Sequence, residues 1–211
     1  MAITFPLTAQ TTGIAEISIE QKSVVGVSRS PFTGDVEVFA HQGQWWNFGV
    51  TLKLMNRAEA ETWLAFLMSL NGREGTFLIG DVSSTAVLGS ASVTPGAPVV
   101  KGAAQSGQDL LCDGGPNSAT GYLKAGDWVQ LGTGISSRIY KNLVDVNTDG
   151  SGNFTMTLFP KITTSNSPSD NQTIIIDDTV GVFRLNSNLQ GWGSRPGNLY
   201  TVESFTCTSE V

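Results

Sequence analysis

From Trp46 to Leu54 the chain alternates without a break: Trp46, Phe48, Val50, Leu52 and Leu54 fall on one side, Asn47, Gly49, Thr51 and Lys53 on the other. A two-residue period of this kind predicts a strand with one buried face. Shorter alternations set Ala15, Ile17 and Ile19 against Glu16, Ser18 and Glu20, and run from Asp35 to Ala40 behind the turn-like Ser30-Pro31-Phe32-Thr33-Gly34. His41 to Gln44 then reads as a polar connection between two strands. One segment has the other period. Ala60, Trp63, Leu64, Leu67 and Leu70 recur at helical spacing, Asn56 stands where a cap belongs with Glu59 three residues on, and Asn71-Gly72 closes the run. Together these predict a single amphipathic helix over residues 57–71, whose apolar stripe needs a sheet to cover it.

Beyond Asp81 the pattern changes. All eight glutamates lie at or before Glu74 or at and after Glu203, and Asp, Gly, Ser, Thr and Pro dominate between. Glutamate favours helices and aspartate favours turns, so residues 83–178 are expected to form a helix-poor β module, a small barrel or sandwich. Its strands are expected at Trp128 to Leu131, Ile139 to Val146, Phe154 to Phe159 and Thr173 to Ile176. Val180 to Leu185 and Leu199 to Cys207 resume the character of the first third. The chain is therefore read as one domain built from residues 1–82 together with 179–211, with the 83–178 module inserted into it, since exposed loops accept insertions at little entropic cost.

Composition narrows the functional classes. A chain of 211 residues, 40% hydrophobic and 14% charged, is a folded globular protein large enough for two cores. Its net charge of −6 repels phosphate backbones and anionic lipid surfaces, which argues against nucleic-acid binding and membrane attachment. The first residues, MAITFPLTAQTTG, have no basic segment followed by an apolar core, and no stretch approaches the roughly 18 apolar residues of a membrane span. Synthesis in the cytoplasm is the expectation. Cys112 and Cys207 then read as buried thiols, with a disulfide as the alternative.

Candidate chemistry is sparse. Asp145-Val-Asn147-Thr-Asp149-Gly150-Ser151-Gly152-Asn153 matches the first half of a calcium loop, but Met156 stands where the bidentate glutamate belongs, so a plain hairpin is favoured. His41 is the only histidine, and no nucleophile elbow or phosphate loop accompanies it, so no enzyme and no cofactor are expected. Of the five tryptophans, Trp63 and Trp46 belong to apolar faces. Trp45 points the other way, as an interface residue, a ligand contact or plain surface. Trp128, with Tyr122 or Tyr140, would be the stacking platform if the inserted module bound a sugar.

Arg29-Ser-Pro-Phe-Thr-Gly34, Trp46 with Val50-Thr-Leu52, Arg57-Ala-Glu-Ala-Glu61 with Trp63-Leu-Ala-Phe-Leu67, Gly75-Thr-Phe-Leu-Ile-Gly-Asp81, Leu123-Lys-Ala-Gly-Asp127, Asp149-Gly-Ser-Gly152 and Val180-Gly-Val-Phe-Arg-Leu185 occur in that order. The series, over nearly the whole chain, resembles tail proteins of long-tailed bacteriophages and prophages, most closely the distal tail protein group at the tail tip. The resemblance implies a β-sandwich belt domain with one helix, a homohexameric ring beneath the tail tube, and contacts to the tube protein and the baseplate hub. The second module here interrupts the belt, whereas in that group a second domain often follows it. Interface residues expected on this reading are Trp45, Asn47 and Lys53 on the outward strand face, and Arg29 and Phe32 in the Ser30 turn. The alternative reading is a carbohydrate-binding module that contacts the host surface.

Overall fold

The computed structural model describes residues 13–210. The protein is mainly β with one helix. Its first sheet contains five antiparallel strands in the order β1-β2-β14-β11-β4. These are β1 (Ile14–Arg29), β2 (Val36–Leu52), β4 (Thr76–Ile79), β11 (Gly181–Leu185) and β14 (Phe205–Ser209). The alternation seen in the sequence sets the faces: Trp46, Phe48, Val50 and Leu52 point inward and are buried, and Ile17 and Ile19 lie opposite Val50 and Phe48 on the same face. Leu54, expected with them, is half exposed because β2 stops at Leu52 and the chain turns into the two-residue β3 (Met55–Asn56).

The helix α1 (Arg57–Ser69) covers that inner face. It ends two residues before the expected position, where Asn71 and Gly72 take positive φ and Gly75 donates to the Leu70 carbonyl at 2.8 Å. The Asn56 side chain caps the start by accepting the Glu59 amide at 3.1 Å. All five stripe residues are buried, and Phe66, off the expected stripe, is buried as well, against Phe77 at 5.4 Å between ring centroids.

A second sheet of six strands has the order β10-β7-β8-β9-β6-β5: β5 (Val99–Val100), β6 (Gly107–Asp113), β7 (Trp128–Leu131), β8 (Arg138–Asn142), β9 (Phe154–Ile162) and β10 (Ile174–Ile175). A bridge between Val99 and Thr173 and the bonds Val100 N to Gln172 O and Ile174 N to Pro98 O bring its two ends together, so the sheet is a nearly closed barrel. Two of its strands, β5 and β6, lie in Gly- and Pro-rich stretches outside the expected set. The strand expected over Ile139 to Val146 stops at Asn142, whose amide group donates to the Val144 and Lys124 carbonyls.

The barrel does not stand apart. Adjacent residues of its strands face opposite ways: Val129, Tyr140 and Leu158 enter the barrel's own core, while Trp128, Ile139 and Phe159 enter the core under the first sheet. Trp46 meets Trp128 and Phe159 edge-on, each at 4.9 Å, and its indole donates to the Ile139 carbonyl at 3.3 Å. The two chain crossings between sheet and barrel lie side by side. Ile79 pairs with Gly181, and a Cβ on Gly80 would stand 1.9 Å from the Thr179 carbonyl, so only glycine fits there.

The strand expected over Leu199 to Cys207 is two strands. Glu203 and Ser204 interrupt it, and β13 (Leu199–Val202) turns away to join β3 and an unforeseen β12 (Trp192–Arg195) in a three-stranded sheet of order β12-β13-β3.

Candidate interaction surface

β1 and β2 are far longer than the sheet they belong to, and what exceeds it is an arm. His41 to Gln44, expected as a connection, is part of β2: between the pairs Ser23–Gln44 and Val25–Ala40, β2 carries three residues against the single Val24 of β1. Such a bulge bends a ribbon and raises its twist. Beyond it the pairs Val25–Ala40, Gly26–Phe39, Val27–Val38, Ser28–Glu37 and Arg29–Val36 continue to a turn, where the Ser30 amide donates to the Asp35 carbonyl at 2.9 Å and the Ser30 hydroxyl accepts the Phe32 and Thr33 amides.

Cross-strand partners share a face, so Val25, Val27, Val36, Val38 and Ala40 continue the inner face of the sheet past the point where the body ends. Nothing among the described residues covers them. Val27 is 67% exposed, Val38 58% and Phe32 at the tip 96%. Val24 and Phe39 add exposed apolar surface on the opposite side. Monomeric proteins rarely leave contiguous apolar surface uncovered, and when they do it marks a contact site.

The expected interface residues divide between two places. Arg29 and Phe32 are on the arm. Trp45 and Asn47 are on the outward face of the sheet, where Trp45 is half-buried beside a groove of about 430 Å³ shared with Arg73, Arg184, Asn186, Thr208 and Glu210. Within it Arg184 pairs with Glu210 at 2.6 Å and Thr208 donates to Asn47 at 2.8 Å. Lys53 is exposed past the end of β2, away from both sets. The arm valines were missed: their alternation was visible, but alternation does not show whether a face will be covered.

The glycan residues are corrected by their burial. Trp128 is 2% exposed, Tyr122 0% and Tyr140 5%, so none offers a ring face to a sugar. Trp128 is enclosed by Trp46 and by Lys141, whose Nζ lies 4.4 Å from the ring centroid, and its indole donates to Asp81 at 3.2 Å. The Tyr122 hydroxyl donates to the Pro95 carbonyl, and burial pushes both tyrosines up to about 12.

The other motifs resolve into structural parts. Asp149 accepts the amides of Ser151 and Asn153 and the Asn153 side chain, each at 2.8 Å, and these bonds hold its carboxyl below the usual range. Its oxygens thus serve a turn. Among the described residues no three His, Cys, Asp or Glu side chains are grouped to hold a metal, and no helix is long and apolar enough to cross a membrane. Cys112 and Cys207 are free thiols in different cores, and burial pushes both upward. His41 is exposed in the bulge.

No protein-family model matches the chain, and no curated protein matches it.

Proposed function

We propose that the protein is a structural component of a bacteriophage tail tip, of the distal tail protein kind, acting as an adaptor ring of six copies between the tail tube and the baseplate hub that carries host-recognition devices. On this reading it is made in the bacterial cytoplasm and functions in the virion. It does its work by assembly, without turnover.

The observation that carries the proposal is the arm, a two-stranded ribbon with uncovered valines projecting from a well-packed body. A ribbon of this kind has no task in an isolated chain and a direct one in an assembly. The ordered motifs resembling tail-tip proteins supply the particular assembly. The glycan reading has lost the three aromatic residues on which it rested.

Light scattering of the purified protein, with negative-stain images of the same peak, tests this. The expected result is a closed ring with a mass near six times 22.3 kDa. Replacing Trp45 with Ala should weaken the ring and leave the far-UV spectrum unchanged. Open chains or a stable monomer in place of the ring would overturn the assignment.

A further inference from the structure

In the described part of the molecule two places present free, exposed strand edges with apolar side chains beside them. One is the arm, where β1 and β2 each have an open edge because β14 pairs with β2 only over Asn47–Val50; the β2 edge carries Glu37, whereas the β1 edge from Val24 to Ser28 is uncharged. The other is β12, all four residues of which are exposed, with Trp192 49% and the nearby Leu189 83% accessible. The remaining outer strand of the first sheet, β4, is almost wholly buried. Long uncapped edges are normally blunted by charge, proline or cover, because they pair with other chains. The run Val24 to Ser28 contains no charge and no proline.

We infer that the arm of one copy adds its β1 edge to the β12 edge of a second copy, laying the arm valines against Trp192 and Leu189. This rests on the ring reading, because donor and acceptor are different surfaces and only such a head-to-tail contact closes a ring.

Three considerations fix a second copy as the occupant. The first is charge. Arg29 offsets one of Asp35 and Glu37, so the arm carries only −1 of the chain's −6 and is repelled little by a like-charged copy. The β12 hairpin carries a single charge, Arg195, within reach of the arm's acidic side chains once the edges pair. The second is area. The arm extends about 17 Å past the bulge, and one face and edge of such a ribbon buries roughly 400 Å². That is about half of the roughly 800 Å² per partner of a stable interface, so a single contact is weak, and a copy is held in the ring by two neighbours, one through the arm it gives and one through the arm it receives. The third is chemistry: strand addition takes affinity from main-chain bonds and specificity from alternate side chains, and the arm offers both.

The test is a complementation. Val27→Lys with Val38→Lys spoils the donor, and Trp192→Lys with Leu189→Lys spoils the acceptor. All four side chains are at least 49% exposed, and circular dichroism and thermal melts check that each variant folds. By light scattering each variant alone should lose self-association at least tenfold, whereas an equimolar mixture should form a dimer and stop there, because one intact donor and one intact acceptor remain. Independently, Val27→Cys on one copy should form an oxidative cross-link with Ser194→Cys on another, the native thiols being buried.

If the wild type forms rings and both variants still do, the arm inference falls and the ring reading stands. If the variants and their mixture behave as expected but the wild type builds open chains, the inference stands and the ring reading falls. Loss in the arm variant with none in the Trp192 variant means arms pair with arms, and overturns the acceptor. A monomeric wild type overturns both.

Discussion

At the residue scale, Asp127 is a buried polar clamp. It is 2% exposed, and its carboxylate oxygens accept the Leu88 and Lys124 amides, each at 2.7 Å. One side chain thereby closes the Lys124–Asp127 turn and ties it to the segment leading into the barrel. Replacing it with Ala strands two amides in a buried site, and denaturant unfolding should show a loss of about 3 kcal/mol. The turn was legible, since Lys-Ala-Gly-Asp is turn composition. The clamp across 39 positions was not, because its partner is a backbone amide, which every sequence position possesses. Gln130 is a parallel case. Its side chain accepts the Val180 amide at 2.8 Å and donates to Gly132 and Ser137, joining the barrel to the strand that leaves it. A buried glutamine in a Trp-Val-Gln-Leu strand carries no sign of that role.

At the scale of elements, legibility followed exposure. Where one face meets water, as in Trp46 to Leu52, period two was plain and the faces were correct. The helix, with one wet side, was equally plain. Where both faces are covered the period vanishes: β7 is buried at all four positions, so nothing in its sequence distinguished the residues that enter the barrel from Trp128, which enters the body. The bulge misled in another way, because His41, Gln42 and Gly43, looped out of a ladder, have loop composition although the strand runs on. The arm beyond it lends nothing to the core. Replacing residues 24–43 with a two-residue Asn-Gly turn between the paired Ser23 and Gln44 should therefore leave the melting temperature of the body within about 3 °C, as read by tryptophan fluorescence. A larger drop would mean that the arm is packed after all.

At the scale of the whole molecule, two hydrophobic cores meet across one aromatic contact. Trp46, Trp128 and Phe159 stack edge to face, and Phe48 lies 6.5 Å from Trp128. The body and barrel should therefore melt together. Replacing Trp128 with Ala removes the keystone at a cost of about 4 kcal/mol, and calorimetry should then resolve two transitions where the wild type shows one. A single transition in the variant would place the coupling elsewhere, in the Gln130 and Trp46 hydrogen bonds.

The paired crossings at Gly80 and Thr179 have a consequence of their own. A segment of nearly a hundred residues leaves and returns through a gap one carbonyl wide, flanked by the ladder between Ile79 and Gly181. The body is thus a socket and the barrel a plug, joined by two adjacent wires. Exchange of the plug for another leaves every strand of the first sheet in register. The constraint on a replacement is its foot: it must bring apolar side chains where Trp128, Ile139 and Phe159 now stand, or Trp46 is left wet. Diversity at this port is limited by the fit of three side chains and is indifferent to the architecture above them.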